Sequence, residues 1–234
     1  MADNELGQDR PETPLDALGI MASQQAILGP NLRQVEMYTR RGLLSLLWHE
    51  PDAADQKVGV VMVGGAMGGT LGPGDSLFHA LGEALASEGV PSIRLSYRKP
   101  NDMDSCCVDT AAAVQLLVGS GADAVVIMGH SFGGAVAIRV AVGLSEMVCG
   151  VVTFATQSAG CEIAGGLQSR PLLMFHGDSD SILPLEASEV VRAIAGTGDL
   201  HVMHGDDHLL VKSHDVMFST TMEWLNTVFT GVAS

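Results

Sequence analysis

Short apolar runs and longer amphipathic segments alternate along the chain from residue 58 to the C-terminus. The run at residues 58–63 is almost continuously apolar, as expected of a strand that is buried on both faces of a sheet. The predicted strands of this part lie at residues 58–63, 92–97, 124–128, 148–155, 171–176 and 200–204. The predicted helices lie at residues 76–87, 104–118, 132–144, 186–195 and 214–229. Strands that alternate with helices predict an α/β fold, in which a doubly wound, mostly parallel sheet is covered by helices on both faces.

The pattern before residue 58 is different. Residues 34–39 and 43–49 are predicted as two strands joined by a turn, which brings the sheet to about eight strands. Residues 1–33 are acidic and interrupted by prolines, and we expect a partly flexible N-terminal arm with a short helix within residues 15–27. Because residues 34–234 contain no linker, repeat or low-complexity block, they are predicted to form one domain.

The composition favours a well-packed domain and argues against polyanionic partners. Apolar residues make up 47% of the chain, and the net charge of -15 disfavours nucleic acid and anionic membrane surfaces as partners. The four cysteines form no C-x-x-C pair and suggest no disulfide framework, so reduced thiols are expected. We find neither a signal-peptide pattern nor an apolar run of about 20 residues, and we therefore predict a cytoplasmic protein.

A serine between two glycines follows one of the predicted strands. Residues 129–133 read G-H-S-F-G, and a helical pattern begins immediately after Ser131. A sharp turn from strand to helix exposes the serine oxygen and crowds the positions two before and two after it, where glycine fits. We interpret this segment as a candidate nucleophile elbow. Since the motif by itself is weakly specific, its weight depends on what the other strand ends carry.

Acidic and histidine residues follow two later strands. The loop after one of them carries Asp178 and Asp180, and the loop after the last one carries His208, with His204 at the end of the strand itself. Ligands of open parallel sheets bind at the carboxyl ends of the strands. We therefore expect these side chains to lie near Ser131.

The motifs together make residues 34–234 resemble the α/β-hydrolase superfamily, whose triad has the chain order serine, acid, histidine. The chain is most similar to the small lidless members near the dienelactone hydrolases and carboxylesterases. The motifs are G-H-S-F-G at residues 129–133, H-G-x-x-D-x-x-x-P at residues 176–184 and G-x-x-H at residues 205–208. The resemblance implies an α/β-hydrolase fold without a cap domain. It also favours Asp180 over Asp178 as the acid, because such families place the acid four residues after the histidine of this loop.

The resemblance assigns a role to each of three side chains. Ser131 would be the nucleophile, which needs an adjacent base because a serine hydroxyl is a weak nucleophile at its ordinary pKa. His208 would take the serine proton and pass it to the leaving group. Asp180 would hold the imidazole in the right tautomer and stabilise its cation.

An oxyanion hole needs two backbone N–H groups that point at the developing negative charge. One is predicted at Phe132, the residue after the candidate nucleophile. The second is predicted at Ala66, with Met67 as the next choice, in the glycine-rich loop after the first buried strand. Related enzymes usually begin this loop with His-Gly, whereas this chain has Gly64-Gly65.

Two other interpretations of these residues are weaker. His201, His204, His208 and His214 suggest a metal site, but Gly205 and two aspartates interrupt the helix that a histidine pair four residues apart would need. The glycine-rich loop lacks both the Lys-Ser/Thr pair and the G-x-G-x-x-G spacing of phosphate-binding loops. We therefore predict no metal and no cofactor.

The sequence thus predicts a serine hydrolase that cleaves a small carboxylic ester or thioester through an acyl-enzyme on Ser131. Its predicted partner is a small-molecule acyl ester. Two alternatives stay open: acyl transfer on the same triad, and a non-catalytic α/β-hydrolase-like protein that binds a small ligand. The sequence leaves open the natural substrate, the acyl-chain length and the oligomeric state, and Asp178 remains the rival of Asp180.

Overall fold

A computed structural model describes residues 13–53 and 57–232, which build one nine-stranded sheet. The strands are β1 (Ile20–Gly29), β2 (Leu32–Thr39), β3 (Gly42–His49), β4 (Val58–Val63), β5 (Ser92–Ser96), β6 (Ala124–His130), β7 (Val148–Phe154), β8 (Leu172–Gly177) and β9 (Asp199–Met203). Their order in the sheet is β1-β2-β3-β5-β4-β6-β7-β8-β9. The neighbouring pairs β1–β2, β2–β3 and β3–β5 are antiparallel, whereas the strands β4 to β9 run parallel to one another. The predicted α/β fold with a mostly parallel sheet is confirmed, with one strand more than expected.

Helices cover both faces of the sheet. They are α1 (Pro14–Leu18), α2 (Pro73–Ser87), α3 (Met103–Gly119), α4 (Phe132–Gly143), α5 (Glu186–Ala195) and α6 (His214–Val232). The helices α3, α4 and α5 pack on one face and α2 and α6 on the other, which gives two apolar cores separated by the sheet. All residues of β4 and β6 are buried, as their continuous apolar runs predicted. None of the helices in the described part of the chain is long and apolar enough to cross a membrane.

The N-terminal segment differs from the prediction. The helix α1 ends at Leu18, and the ten residues of β1 pair antiparallel with β2, so the helix expected within residues 15–27 is wrong over most of its length. Ala, Gln and Met in this segment favour a helix weakly, and backbone pairing with β2 outweighs that preference. The boundary predicted between residues 33 and 34 falls inside β2. The part of the predicted arm at residues 1–12 lies outside the described residues.

The parallel arrangement places the carboxyl ends of β4, β6, β8 and β9 at the same edge of the sheet. The loops that carry the glycine-rich segment, Ser131, Asp180 and His208 therefore all leave the sheet on one side. Between β7 and β8 the chain forms only a short 3-10 helix, Ala164–Leu167. No helical cap covers this edge within the part of the chain that the structure describes.

Candidate active site

The turn between β6 and α4 holds Ser131 in a conformation that few non-glycine residues adopt, with φ 55° and ψ −120°. The Ser131 N–H donates to the carbonyl of Phe154 over 2.8 Å. A Cβ on Gly129 would overlap the carbonyl oxygen of Gly133, and a Cβ on Gly133 would overlap that of Gly64. Both glycines are thus required for the close approach of the backbone. A strained serine that its surroundings hold in place is typical of a functional turn.

Three of the predicted site residues form one continuous hydrogen-bond chain. The Ser131 Oγ lies 3.0 Å from His208 Nε2. The opposite ring nitrogen, His208 Nδ1, lies 2.7 Å from Asp180 Oδ2. Since an ionised carboxylate only accepts hydrogen bonds, Nδ1 carries the proton and Nε2 is free to accept from the serine hydroxyl. This is the arrangement in which a histidine can act as a base toward serine.

The Asp180 carboxylate is buried and held by the backbone of its own loop. Its Oδ1 accepts hydrogen bonds from the N–H groups of Ile182 and Leu183, over 2.8 and 2.9 Å. Burial by itself raises the pKa of Asp180, but the hydrogen bonds from Leu183 N–H, His208 and Ile182 N–H outweigh it and leave the pKa below its ordinary value. Asp180 is therefore a carboxylate at neutral pH.

Two further histidines support this chain, and the sequence alone predicts a role for neither of them. His130, next to Ser131, has its Nε2 at 3.0 Å from the carbonyl oxygen of His208 and so fixes the backbone of that loop. Burial lowers the pKa of His130 to about 4, and the ring is neutral at physiological pH. His176 is buried, with its Nε2 at 3.0 Å from the Leu183 carbonyl oxygen. The sequence signal for His130 is its position inside the G-H-S-F-G motif, next to Ser131.

The glycine-rich loop after β4 passes beside the serine. A Cβ on Gly65 would come within 3.5 Å of the Ser131 Cβ, which places this backbone next to the nucleophile candidate. The Gly68 N–H donates to the Gly65 carbonyl over 2.9 Å, so Ala66 and Met67 occupy the tip of a tight turn. The Met67 side chain is almost fully exposed, while Ala66 packs partly on the core.

Buried side chains from β5 and the loop that follows it hold the glycine-rich loop in place. The Tyr97 hydroxyl donates to the Gly64 carbonyl at 3.4 Å, and the Arg94 guanidinium donates to the Thr70 carbonyl at 3.2 Å. Both side chains are almost completely buried. These two hydrogen bonds hold the loop beside the serine, although the loop lacks a histidine at its start.

The second N–H group of interest is that of Phe132. It lies at the first position of α4, where a helix offers no backbone acceptor.

Asp178, the rival acid, pairs with a different histidine. Its Oδ2 lies 2.9 Å from Nδ1 of His204, and its Oδ1 accepts from the Gly205 N–H over 2.7 Å. The hydrogen bond from His204 and then that from Gly205 lower the pKa of Asp178. This second pair is exposed to solvent, and neither of its side chains is hydrogen-bonded to Ser131.

The remaining histidines of the metal hypothesis do not converge. The ring of His201 stacks at a tilt on Phe175, and His214 Nδ1 contacts the Gly74 carbonyl. Over residues 13–53 and 57–232 there is no group of three or more His, Cys, Asp or Glu side chains that could hold a metal ion.

The fold is found in solved structures, although neither a protein-family model nor a curated protein sequence matches the chain. Est1E from Butyrivibrio proteoclasticus superposes with a TM-score of 0.71 at 15% identity, over 84% of this chain and 99% of that one. A dienelactone hydrolase from Anabaena variabilis gives a TM-score of 0.71 at 16% identity, over 84% and 98% of the two chains. A lidless α/β serine hydrolase from Xanthomonas campestris gives 0.65 at 17%, over 85% and 97%. The chain therefore has the lidless α/β-hydrolase fold.

Proposed function

We propose that the protein is a serine hydrolase that cleaves a small carboxylic ester or thioester, with Ser131 as nucleophile, His208 as general base and Asp180 as the orienting acid. The observation that carries the proposal is the hydrogen-bond chain from Ser131 Oγ through both nitrogens of His208 to Asp180. Two fold neighbours are named a dienelactone hydrolase and a serine hydrolase, which supports ester hydrolysis for this chain.

The reaction would proceed in two halves. In the first, His208 Nε2 takes the proton of Ser131 Oγ while that oxygen attacks the acyl carbonyl carbon. His208 then returns the proton to the departing alcohol or thiol, which leaves an ester between the acyl group and Ser131. In the second half, His208 activates a water molecule that attacks this ester and releases the carboxylic acid and the free serine.

Backbone N–H groups would stabilise the negative charge on the substrate oxygen in both halves. We assign them to Phe132 and Ala66, with Met67 as the alternative to Ala66. A Cβ built on Gly65 would lie 3.5 Å from the Ser131 Cβ, and this closeness of the loop to the serine supports the assignment. The first position of α4 also places the positive end of a helix dipole at the same point.

The surroundings of the serine favour a small substrate with an apolar part. The loops that carry the glycine-rich turn, Asp180 and His208 also carry exposed apolar side chains, namely Met67, Ile182 and Leu209. Apolar groups at the rim of an open site would contact an acyl chain or an apolar leaving group.

A fluorophosphonate probe and p-nitrophenyl esters of graded chain length test the proposal. We expect the wild-type protein to incorporate one probe per chain at Ser131 and to turn over the short esters. Ser131→Ala should lose both the labelling and the turnover. Ser179→Ala, which changes an exposed serine beside Asp178, should keep both. A wild-type protein with no labelling and no more turnover than Ser131→Ala would contradict the proposal. Product analysis with an added alcohol distinguishes hydrolysis from acyl transfer.

A further inference from the structure

The strand β1 lies at one edge of the sheet and is exposed along its length. It pairs with β2 on one side, and within the described residues no strand lies on its other side. Nine of its ten residues are exposed, including Met21 and Ile27, whose exposed fractions are 68% and 85%. An edge strand of this kind presents a row of unpaired backbone N–H and C=O groups that can pair with another strand.

The sequence of β1 lacks the charges that usually protect a sheet edge. No charged residue stands between Asp16 and Arg33. The opposite edge strand, β9, is only five residues long and begins with Asp199. In a chain with a net charge of -15, an edge strand without charged residues adds no charge repulsion of its own between two copies.

The order of side chains along β1 is close to a palindrome. Residues 20–28 read I-M-A-S-Q-Q-A-I-L. In an antiparallel pair of two such strands with Gln24 opposite itself, every residue faces one of similar character. The pairs are Ile20–Leu28, Met21–Ile27, Ala22–Ala26, Ser23–Gln25 and Gln24–Gln24. Moving the centre by one residue, to Ser23 or Gln25, instead places an alanine opposite a glutamine. Because apolar pairs across strands stabilise a sheet, the centre at Gln24 is the favoured one.

Symmetry allows this centre. Hydrogen-bonded and non-hydrogen-bonded pairs alternate along an antiparallel ladder. A two-fold axis between two identical strands must map each kind of pair onto itself, so the axis lies midway between the two copies of one residue. The regular part of β1, residues 22–27, contains Gln24. The irregularities in its pairing with β2 lie near its two ends, between Ile20 and Ala22 and between Ile27 and Gly29.

We propose that β1 is a dimerisation strand, which pairs antiparallel with β1 of a second copy about Gln24 and joins the two sheets into one. The Met21–Ile27 pairs on either side of the centre would cover apolar side chains that are exposed in the single chain. The candidate catalytic residues lie on loops at the carboxyl ends of the parallel strands, and pairing through β1 involves none of them. The dimer proposal therefore does not depend on the proposed function.

Sedimentation and light scattering of the full chain give the first test. The wild type should have twice the chain mass. Residue 23 of one copy faces residue 25 of the other, so Ser23→Glu with Gln25→Glu places like charges opposite each other and should halve the mass. Ser23→Lys with Gln25→Glu places opposite charges there and should keep the dimer. Glu at position 25 can still accept the hydrogen bond that Arg33 gives to Gln25 over 2.9 Å.

A control separates the effect of position from that of net charge. Asn226→Glu with Thr227→Glu adds the same charge on the exposed side of α6 and should remain dimeric. A wild type that is monomeric from low to high micromolar concentration would overturn the proposal. So would a dimer that survives the two glutamates on β1. The double variant with lysine at position 23 should stay dimeric if the strands pair about Gln24. If it and the variant with two glutamates are both natively folded monomers, the register centred on Gln24 is wrong.

Cross-linking tests the register without adding charge. Directly opposite residues have Cβ atoms about 5 Å apart, so Gln24→Cys should form a disulfide-linked dimer when an oxidant is added. In the same pairing the two copies of Ile27→Cys stand six residues apart along the ladder, about 20 Å, and should not cross-link. Equal cross-linking of the two variants would contradict the centre at Gln24. Wild-type protein under the same oxidant controls for its four free cysteines.

Discussion

Two aspartate–histidine pairs connect the same two loops, and only one of them contacts the serine. His204 Nδ1 lies 2.9 Å from Asp178 Oδ2, with side chains that are 86% and 35% exposed. His208 Nδ1 lies 2.7 Å from Asp180 Oδ2, with side chains that are 10% and 0% exposed. The two N–O distances are almost equal. The pairs differ instead in their burial and in the group that the other imidazole nitrogen contacts. Water screens an exposed ion pair, whereas a buried carboxylate can keep an imidazole in one tautomer and stabilise its cation.

The backbone of the acid loop creates this difference. Asp180 Oδ1 receives two backbone N–H groups, from Ile182 and Leu183, which offset part of the cost of burying a carboxylate. Asp178 receives one, from Gly205, and stays at the surface. In this loop the surrounding amides, rather than the residue type, therefore decide which aspartate can pair with a buried histidine.

Replacing the histidine of each pair in turn should give the greatest contrast in kcat. His208→Gln should lower kcat for p-nitrophenyl acetate by a factor on the order of 10⁶, because no group is then left to accept the serine proton. His204→Gln should leave kcat close to that of the wild type. Steady-state kinetics on both variants, with circular dichroism as a check of folding, measures the contrast. Similar losses in the two variants would remove the distinction between the pairs.

The alternation of strands and helices and the position of Ser131 could be predicted from sequence, because a buried parallel sheet requires continuous apolar runs and the elbow requires glycines at fixed positions. The choice between Asp178 and Asp180 came only from resemblance, since both are aspartates in the same loop and sequence does not show which one the backbone amides surround. The strand β1 was missed because both of its faces are exposed, so it lacks the apolar–polar alternation that identifies a half-buried strand.

The next effect concerns His130, which supports the buried pair and does not contact the exposed one. His130→Gln disturbs the hydrogen bond to the His208 carbonyl, and a net loss of about 1 kcal/mol corresponds to a fall of about fivefold in kcat. KM should stay nearly constant, because this bond contacts the His208 backbone and would position the proposed base rather than bind substrate. A fall confined to KM would show that His130 does not position His208.

The buried site also makes stability sensitive to acid. The pKa of His130 is about 4 in the folded protein, against 6.5 for an ordinary histidine. Between these values the unfolded chain binds a proton that the folded chain does not, so the free energy of unfolding falls as the pH falls. His49, whose pKa burial also lowers to about 4, acts in the same direction.

Urea unfolding at several pH values between these limits measures this effect. Each histidine contributes a slope of about 1.4 kcal/mol per pH unit, so His130→Gln should flatten the pH dependence by about that amount. His204→Gln on the exposed pair is the matched control, because it removes a histidine without removing a buried ring. An unchanged slope in His130→Gln would contradict a neutral, buried His130.

Replacing Asp178 should change the stability of the protein very little. Asp178→Asn removes the charge of an exposed pair and should leave the urea midpoint at neutral pH close to the wild-type value. Asp180→Asn should shift the midpoint more, because its buried carboxylate accepts two backbone hydrogen bonds and one from His208. Equal shifts would show that burial does not distinguish the two aspartates.

Measuring kcat for Asp180→Asn and Asp178→Asn on the same p-nitrophenyl ester tests directly whether the buried pair serves Ser131. Asparagine keeps the size of the side chain and removes its charge at both positions. If the buried pair serves Ser131, Asp180→Asn should lose about 10⁴ in kcat, and Asp178→Asn should remain near the wild-type value. Near-full activity of Asp180→Asn, or an equal loss in both variants, would contradict the assignment of Asp180 and His208.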